Sequence, residues 1–227
     1  LIKLYLANEI DEVKKKEKLS TRRAVEQIAK ARLTEVGLSD SRRIFTSYAG
    51  EISGGMAQRF MIAQALLSSP EILIADEATS ALDVTVQARI LKLLKELCRK
   101  NETAILFITH DLGIAAQVCD RVAVMYAGRI VEIAETVEIF ENPQHPYTRG
   151  LLQAVPRPGR KDGLSFVPGM IPDLVDPPPG CRFYPRCDNR MDICNQERPE
   201  SYTVGKRHEV ACFLHKNQAQ FADEKKL

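Results

Sequence analysis

The chain has no apolar run near the roughly 18 residues that cross a bilayer. The longest, such as Ile72-Leu73-Ile74-Ala75, are short, which excludes a membrane-spanning helix in these 227 residues. The opening Leu1-Ile2-Lys3-Leu4-Tyr5-Leu6 lacks the charged start, long apolar stretch and cleavage site of a signal peptide. An excess of one charge is missing too. With 32 Lys and Arg against 30 Asp and Glu, the net charge of +2 does not by itself point to nucleic acid or another polyanion. Proline is nearly absent from the front: eleven of twelve fall between Pro143 and Pro199, so the last third is a different kind of chain. No internal repeat is present. At 44% hydrophobic and 27% charged, the composition is that of an ordinary globular protein, not a collagen-like or disordered one. A mass of 25.5 kDa allows one large or two modest domains. The first residue is Leu1 rather than Met, and the chain is expected to start inside a longer reading frame.

Residues 9 to 48 read as helices. Ser20-Thr21 precedes an apolar stripe of Ala24, Val25, Ile28, Ala29 and Leu33, and Gly37 ends it. The run Lys14-Lys15-Lys16-Glu17-Lys18 has no aromatic companions and reads as a solvated face. Ser53-Gly54-Gly55 opens a helix from about Met56 to Ser68, closed off by Pro70. Ile72 to Ala75, apolar throughout, predicts a parallel strand buried on both faces. Asp83 caps a helix with a buried stripe of Val86, Ile90, Leu93, Leu94 and Leu97. A second strand follows at Ala104 to Ile108, completing a parallel crossover unit. Arg121–Tyr126 and Arg129–Ile133, split by Ala127-Gly128, predict a hairpin. Beyond Glu141, Pro156, Pro158, Pro168, Pro172 and Pro177-Pro178-Pro179 predict an extended, semi-rigid connector, and the tail from Gln218 is expected to fray.

The first strand ends in Asp76-Glu77. Ligands of open α/β sheets bind beyond the carboxyl ends of strands. Of two acids there, one suits a Mg²⁺ ion and the other suits orienting or deprotonating an attacking water. The second strand ends in Thr109-His110, which places His110 on the same rim as Glu77, suited to contacting phosphate. Ser53-Gly54-Gly55 adds a helix start where glycines permit close approach and free N–H groups can face an anion. Each feature alone has a plainer reading: solvated acids, a structural histidine, a helix cap with a hinge.

Together they are more specific. Ser53-Gly54-Gly55-Met56-Ala57-Gln58-Arg59, then Ile72-Leu73-Ile74-Ala75-Asp76-Glu77-Ala78-Thr79-Ser80-Ala81-Leu82-Asp83, then Ile108-Thr109-His110-Asp111, resembles the ATPase subunits of ABC transporters. In that family these stretches are the signature motif, the Walker B strand, the D-loop and the switch histidine. Ile52, Met56 and Ala78 depart from the usual Leu, Gln and Pro without removing a catalytic group. The resemblance implies that Asp76 helps coordinate Mg²⁺, Glu77 polarises the attacking water and His110 contacts the γ-phosphate of ATP. Ser53, Gly54, Gly55 and Gln58 would face nucleotide held by a second ABC ATPase subunit in a homo- or heterodimer, with Asp83 along that interface. No Gly-x-x-x-x-Gly-Lys-Ser/Thr occurs, so the loop that cradles the β- and γ-phosphates is not among these residues. This chain alone is therefore expected not to hydrolyse ATP, although the intact protein is expected to be an ABC-type ATPase.

Cys181, Cys187, Cys194 and Cys212 fall within 32 residues, whereas Cys98 and Cys119 read as packed thiols. Lack of a signal peptide argues against disulfides. No tight Cys-x₂₋₄-Cys pair is present, and spacing alone leaves zinc and iron–sulfur both open. The flanking Asn142-Pro143-Gln144-His145-Pro146-Tyr147-Thr148-Arg149-Gly150-Leu151-Leu152 and Gly180-Cys181-Arg182-Phe183-Tyr184-Pro185-Arg186-Cys187 resemble the C-terminal extension of oligopeptide and dipeptide ABC importers. That resemblance implies a [4Fe–4S] cluster on the four cysteines, with a structural or redox-sensing role.

The expected fold is α/β: a partial P-loop ABC ATPase domain with an irregular Cys-rich C-terminal extension. Residues 1–70 are expected as a helical signature subdomain, 71–140 as the second half of the ATPase core, 141–180 as the connector and 181–227 as the iron–sulfur extension. The family implies a peripheral place on the cytoplasmic face of the cell membrane. It also implies transmembrane permease subunits whose coupling helices dock on the signature subdomain, a solute-binding protein that selects the cargo, and no nucleic acid. Cargo would be peptides or related solutes such as nickel complexes. Two alternatives stand beside this: a soluble ABC ATPase of translation or DNA repair, and a non-catalytic iron–sulfur or assembly remnant.

Overall fold

Local punctuation in the sequence sets where each element starts and stops. The computed structural model describes residues 7–38, 43–44, 47–80, 82–155 and 167–217. Leu1, Ala81, Pro156, Pro158 and the tail from Gln218 lie outside the described residues. The chain divides into two compact units, residues 1–110 and 111–227.

In the first unit, α1 (Ala7–Glu17) packs on α2 (Thr21–Glu35) through Ile10, Ala24 and Ile28. The end of α2 is a Schellman turn. Gly37 sits at φ +75°, its N–H bonds Thr34 O at 2.9 Å, and Leu38 N–H bonds Leu33 O at 2.9 Å. Next, α3 (Gly54–Leu66) is followed by β1 (Ile72–Asp76), α4 (Val84–Lys100) and β2 (Ala104–Ile108). β1 and β2 pair in parallel from Ile72↔Ala104 to Asp76↔Ile108, joined by α4 as the crossover. Asp83 caps α4, its Oδ1 accepting from Thr85 N–H at 3.1 Å and Val86 N–H at 3.0 Å. Ile90, Leu94 and Leu97 are buried as the pattern predicts, with Leu91 and Cys98 beside them, while Val86 and Leu93 are partly buried against the same core.

One expectation fails here. β1 is not buried on both faces: Ala75 is buried, but Ile72 and Ile74 are each 64% exposed. Leu106 and Ile108 of β2 extend the same uncovered apolar face. The helices cover one side of this two-stranded sheet, and among the described residues nothing covers the other. An apolar sequence marks what a strand can bury, not which element arrives to bury it.

The second unit is built on an antiparallel sheet in the order β3-β4-β6-β5. After α5 (Leu112–Val118), β3 (Arg121–Tyr126) and β4 (Arg129–Glu135) form the predicted hairpin. Its two-residue turn needs positive φ twice, and Ala127 at +47° and Gly128 at +77° provide it. Two short helices follow, α6 (Thr136–Glu141) and α7 (Pro146–Gln153). Later come α8 (Asp192–Gln196), β5 (Tyr202–Gly205) and β6 (His208–Val210), and β6 pairs with β4 through Glu132↔Val210. That pairing welds the cysteine-bearing segment onto the hairpin. Tyr126, Phe183 and Ile139 are buried in the shared core, with Tyr147 packed against them.

Candidate functional site

Each unit holds one candidate site. In the first, the parallel register sets Asp76 beside Ile108, so the residues just past both strand ends emerge together. Glu77 N–H bonds Ile108 O at 2.9 Å, and a φ of +43° turns the chain there. Glu77 Oε1 then lies 2.9 Å from His110 Nδ1. Both side chains are open to solvent, 51% and 77% exposed. A side-chain contact this exposed adds little to stability. Asp76 is an exposed carboxylate at the end of β1, a hard oxygen ligand of the kind Mg²⁺ accepts alongside substrate phosphates.

Ser53 caps α3, its Oγ accepting from Met56 N–H at 3.3 Å. Ser53 and Gly54 are exposed, Gly55 and Gln58 half-buried. A Cβ on Gly55 would stand 2.9 Å from Val86 Cγ1, and one on Gly54 3.8 Å from Leu82 Cδ2. Gly55 thus lets α3 approach the loop and first turn that Asp83 organises. The structure brings together Glu77 with His110, and the Gly54-Gly55 turn with Leu82 and Val86. No hydrogen bond among the described residues joins these two groups.

In the second unit, Cys181, Cys187, Cys194 and Cys212 line one cavity together with His145 and Phe183. The backbone assembles it. Cys181 N–H bonds Cys194 O at 2.7 Å, a 3₁₀ turn at Tyr184–Arg186 lies between Cys181 and Cys187, and Ala211 N–H bonds Val131 O at 2.8 Å to bring in Cys212. Gly180 is obligatory: a Cβ there would lie 2.7 Å from the carbonyl carbon of Asn195, with Cys194 O closer still. None of the four forms a disulfide. Burial pushes Cys181, Cys187 and Cys212 up, Cys212 to about 11, with the neighbouring cysteines adding to the effect. Among the described residues no group of three or more His, Cys, Asp or Glu side chains is arranged to hold a metal ion, so the geometry does not by itself support the iron–sulfur expectation.

Sequence reasoning missed the acid that anchors this site. Glu132 is buried, its side chain fully enclosed. Oε1 accepts from Gln144 N–H at 2.6 Å and lies 2.8 Å from His208 Nε2, and Oε2 accepts from His145 N–H at 2.9 Å. The signal was available: one acid inside the apolar strand Ile130-Val131-Glu132-Ile133-Ala134 needs a buried partner. His145 caps α7 with Nδ1, which accepts from Tyr147 N–H at 3.0 Å, and Pro146 takes the first helical position. Burial pushes His145 down to about 4, so its ring is neutral near pH 7. Arg182 grips the hairpin tip by donating to Ala127 O, and Arg186 donates to Val167 O and Pro168 O at 2.7 Å each.

The model of the ABC transporter family matches residues 4–80, and that of the oligopeptide/dipeptide transporter C-terminal region matches residues 131–194. The dipeptide transport ATP-binding protein DppD of Bacillus subtilis (strain 168) is 45% identical over 220 residues, covering 96% of this chain and 66% of the relative. The oligopeptide transport ATP-binding protein OppD of Salmonella typhimurium is 50% identical over 183 residues, covering 80% of this chain and 54% of its own length. The chain thus spans just under two thirds, or less, of these relatives. A crystal structure of the ADP conformation of an ATP-binding cassette of an ABC transporter is 27% identical, with a TM-score of 0.45, over 51% of this chain and 45% of that one. No described helix is long and apolar enough to cross a membrane. With one family model on the helical segment and first strand, the other on the cysteine-bearing segment, and 45–50% identity to curated relatives, the chain belongs to the oligopeptide/dipeptide-type ATP-binding proteins of the ABC transporter family.

Proposed function

We propose that this chain contributes the water-activating half of an ATPase that drives peptide import through an ABC transporter. The observation that carries the reading is the Glu77–His110 pair at the adjoining carboxyl ends of two parallel strands. Glu77 orients the attacking water and accepts its proton. His110, held against Glu77 through Nδ1, contacts the γ-phosphate through Nε2. Asp76 holds Mg²⁺, which when bound offsets phosphate charge. Ser53, Gly54, Gly55 and Gln58 face the nucleotide of a second ATPase subunit, and Asp83 lies along that contact. Residues 1–70 form the signature subdomain, 71–140 the second half of the core, 141–180 the connector and 181–227 the extension. Residues 1–227 alone do not turn ATP over, because they carry no phosphate-cradling Gly-rich loop.

The four cysteines hold a [4Fe–4S] cluster in this reading. What supports it is that Cys181, Cys187, Cys194 and Cys212 line one cavity together, and Cys thiolates are the ligands such clusters take.

The subunit sits peripherally on the cytoplasmic face of the membrane, bound to permease subunits and served by a solute-binding protein. Purified with those membrane partners, it is expected to hydrolyse ATP faster when the peptide-loaded solute-binding protein is added. Turnover stimulated by ribosomes or DNA instead would overturn the importer assignment.

A further inference from the structure

Glu77 has a backbone that a glutamate rarely takes. Its φ of +43° lies in the left-handed region, where a side chain is strained. The other described non-glycine residues with positive φ, Lys18, Ser69, Glu102, Ala127 and Arg207, follow helix ends or sit in hairpin turns. Glu77 is the exception, at the end of a parallel strand. A strained backbone persists only where its surroundings hold it, and such positions gather at functional sites. Three hydrogen bonds hold this one. Glu77 N–H donates to Ile108 O at 2.9 Å, and Glu77 O accepts from Ser80 N–H at 3.1 Å. The Ser80 hydroxyl donates to the same Glu77 O at 3.0 Å. Between the two residues, Thr79 is buried and Ala78 packs against the core, so the turn is fixed from beneath. Ser80 is exposed and closes the turn from the solvent side.

We propose that Ser80 is a positioning residue for the reaction. By clamping the Glu77 carbonyl, it holds the backbone turn that aims the Glu77 carboxylate at the rim shared with His110. The inference rests on the reading of Glu77 as the group that activates water. Relaxing Glu77 to an ordinary negative φ redirects its side chain, whose Oε1 lies 2.9 Å from His110 Nδ1 in the strained form. A hydroxyl and an N–H on one carbonyl oxygen use its two lone pairs, so neither bond displaces the other. Ser80 touches no reacting atom, and its effect on turnover passes through Glu77.

The test compares wild type, Ser80→Ala, Ser80→Thr, Glu77→Gln and the double variant Ser80→Ala with Glu77→Gln. Each is made in a subunit that joins these residues to a phosphate-cradling Gly-rich loop, purified with its membrane partners. Ser80→Ala is expected to lower kcat about 3- to 10-fold, the worth of one hydrogen bond, with KM for ATP unchanged. Threonine keeps the hydroxyl, so Ser80→Thr should turn over like wild type. In the Glu77→Gln background, Ser80→Ala should change kcat less than about twofold, because the carboxylate it positions is gone. Should Ser80→Ala fail to assemble, Ser80→Val, the shape of threonine without its hydroxyl, takes its place in the comparison. Wild-type kcat in Ser80→Ala, an equal fall in both backgrounds, or an equal loss in Ser80→Thr would overturn the proposal and leave the Glu77 reading standing. A raised KM with unchanged kcat would overturn it too, by making Ser80 a nucleotide contact. Equal turnover by Glu77→Gln and wild type would overturn the reading of Glu77, and this inference with it.

Discussion

Glu132 and Gly180 line up backbone beside the cysteine cavity, the first through hydrogen bonds and the second through a close approach. Glu132 gathers two backbone N–H groups and the His208 ring onto one enclosed carboxylate. Truncation to alanine strands all three in a buried place, and breaking such a pair costs about 3–5 kcal/mol. Glu132→Ala is expected to lose that much stability in urea unfolding followed by a probe in residues 111–227. A loss below about 1 kcal/mol would mean that the network is incidental. Gly180 approaches the backbone of Cys194 and Asn195 too closely for any side chain. Gly180→Ala should therefore displace Cys181 from Cys194 and, if the proposed cluster is bound, lower the iron per chain several-fold, as measured by metal analysis. Unchanged iron content would show that the cavity does not depend on this approach.

At the scale of elements, caps and turns did most of the work that could be read from the sequence. Asp83, Ser53 and Gly37 mark helix ends because their chemistry is local, and the structure uses each as such. The hairpin turn was legible for the same reason. The uncovered face of β1 and β2 was not, since burial depends on a neighbour that periodicity does not name. Glu132 and His145 were underread for a related cause: each acts through partners distant in sequence, His208 being 76 residues from Glu132. Gly55 belongs to this scale as well. It is the contact point of α3 with the first turn of α4, and an added methyl would meet Val86 at 2.9 Å. Gly55→Ala is expected to destabilise the first unit by about 1–3 kcal/mol, an overpacking cost. Val86→Ala in the same chain should restore part of it, and a thermal melt of both variants checks this. Additive losses would show that the two residues do not share the contact.

For the whole molecule, the two units carry separate chemistries. The first presents acids and a histidine at strand ends, and the second a cavity lined by four cysteines beside an antiparallel sheet with the β4–β6 pairing. The order of motifs made the family legible from the sequence, and 45–50% identity to peptide-transport ATP-binding proteins agrees. Whether the cysteines hold a metal group was not legible from their spacing, because spacing reports proximity along the chain and not the distance between thiols. The central claim is that Glu77 activates water for ATP hydrolysis. It is tested most directly by ATP turnover of a subunit that joins these residues to a phosphate-cradling Gly-rich loop, purified with its membrane partners, as wild type and as Glu77→Gln, with nucleotide binding measured on the same samples. The account predicts a fall of roughly 10²–10⁴-fold in turnover with ATP binding retained. Equal turnover by the two proteins would contradict it.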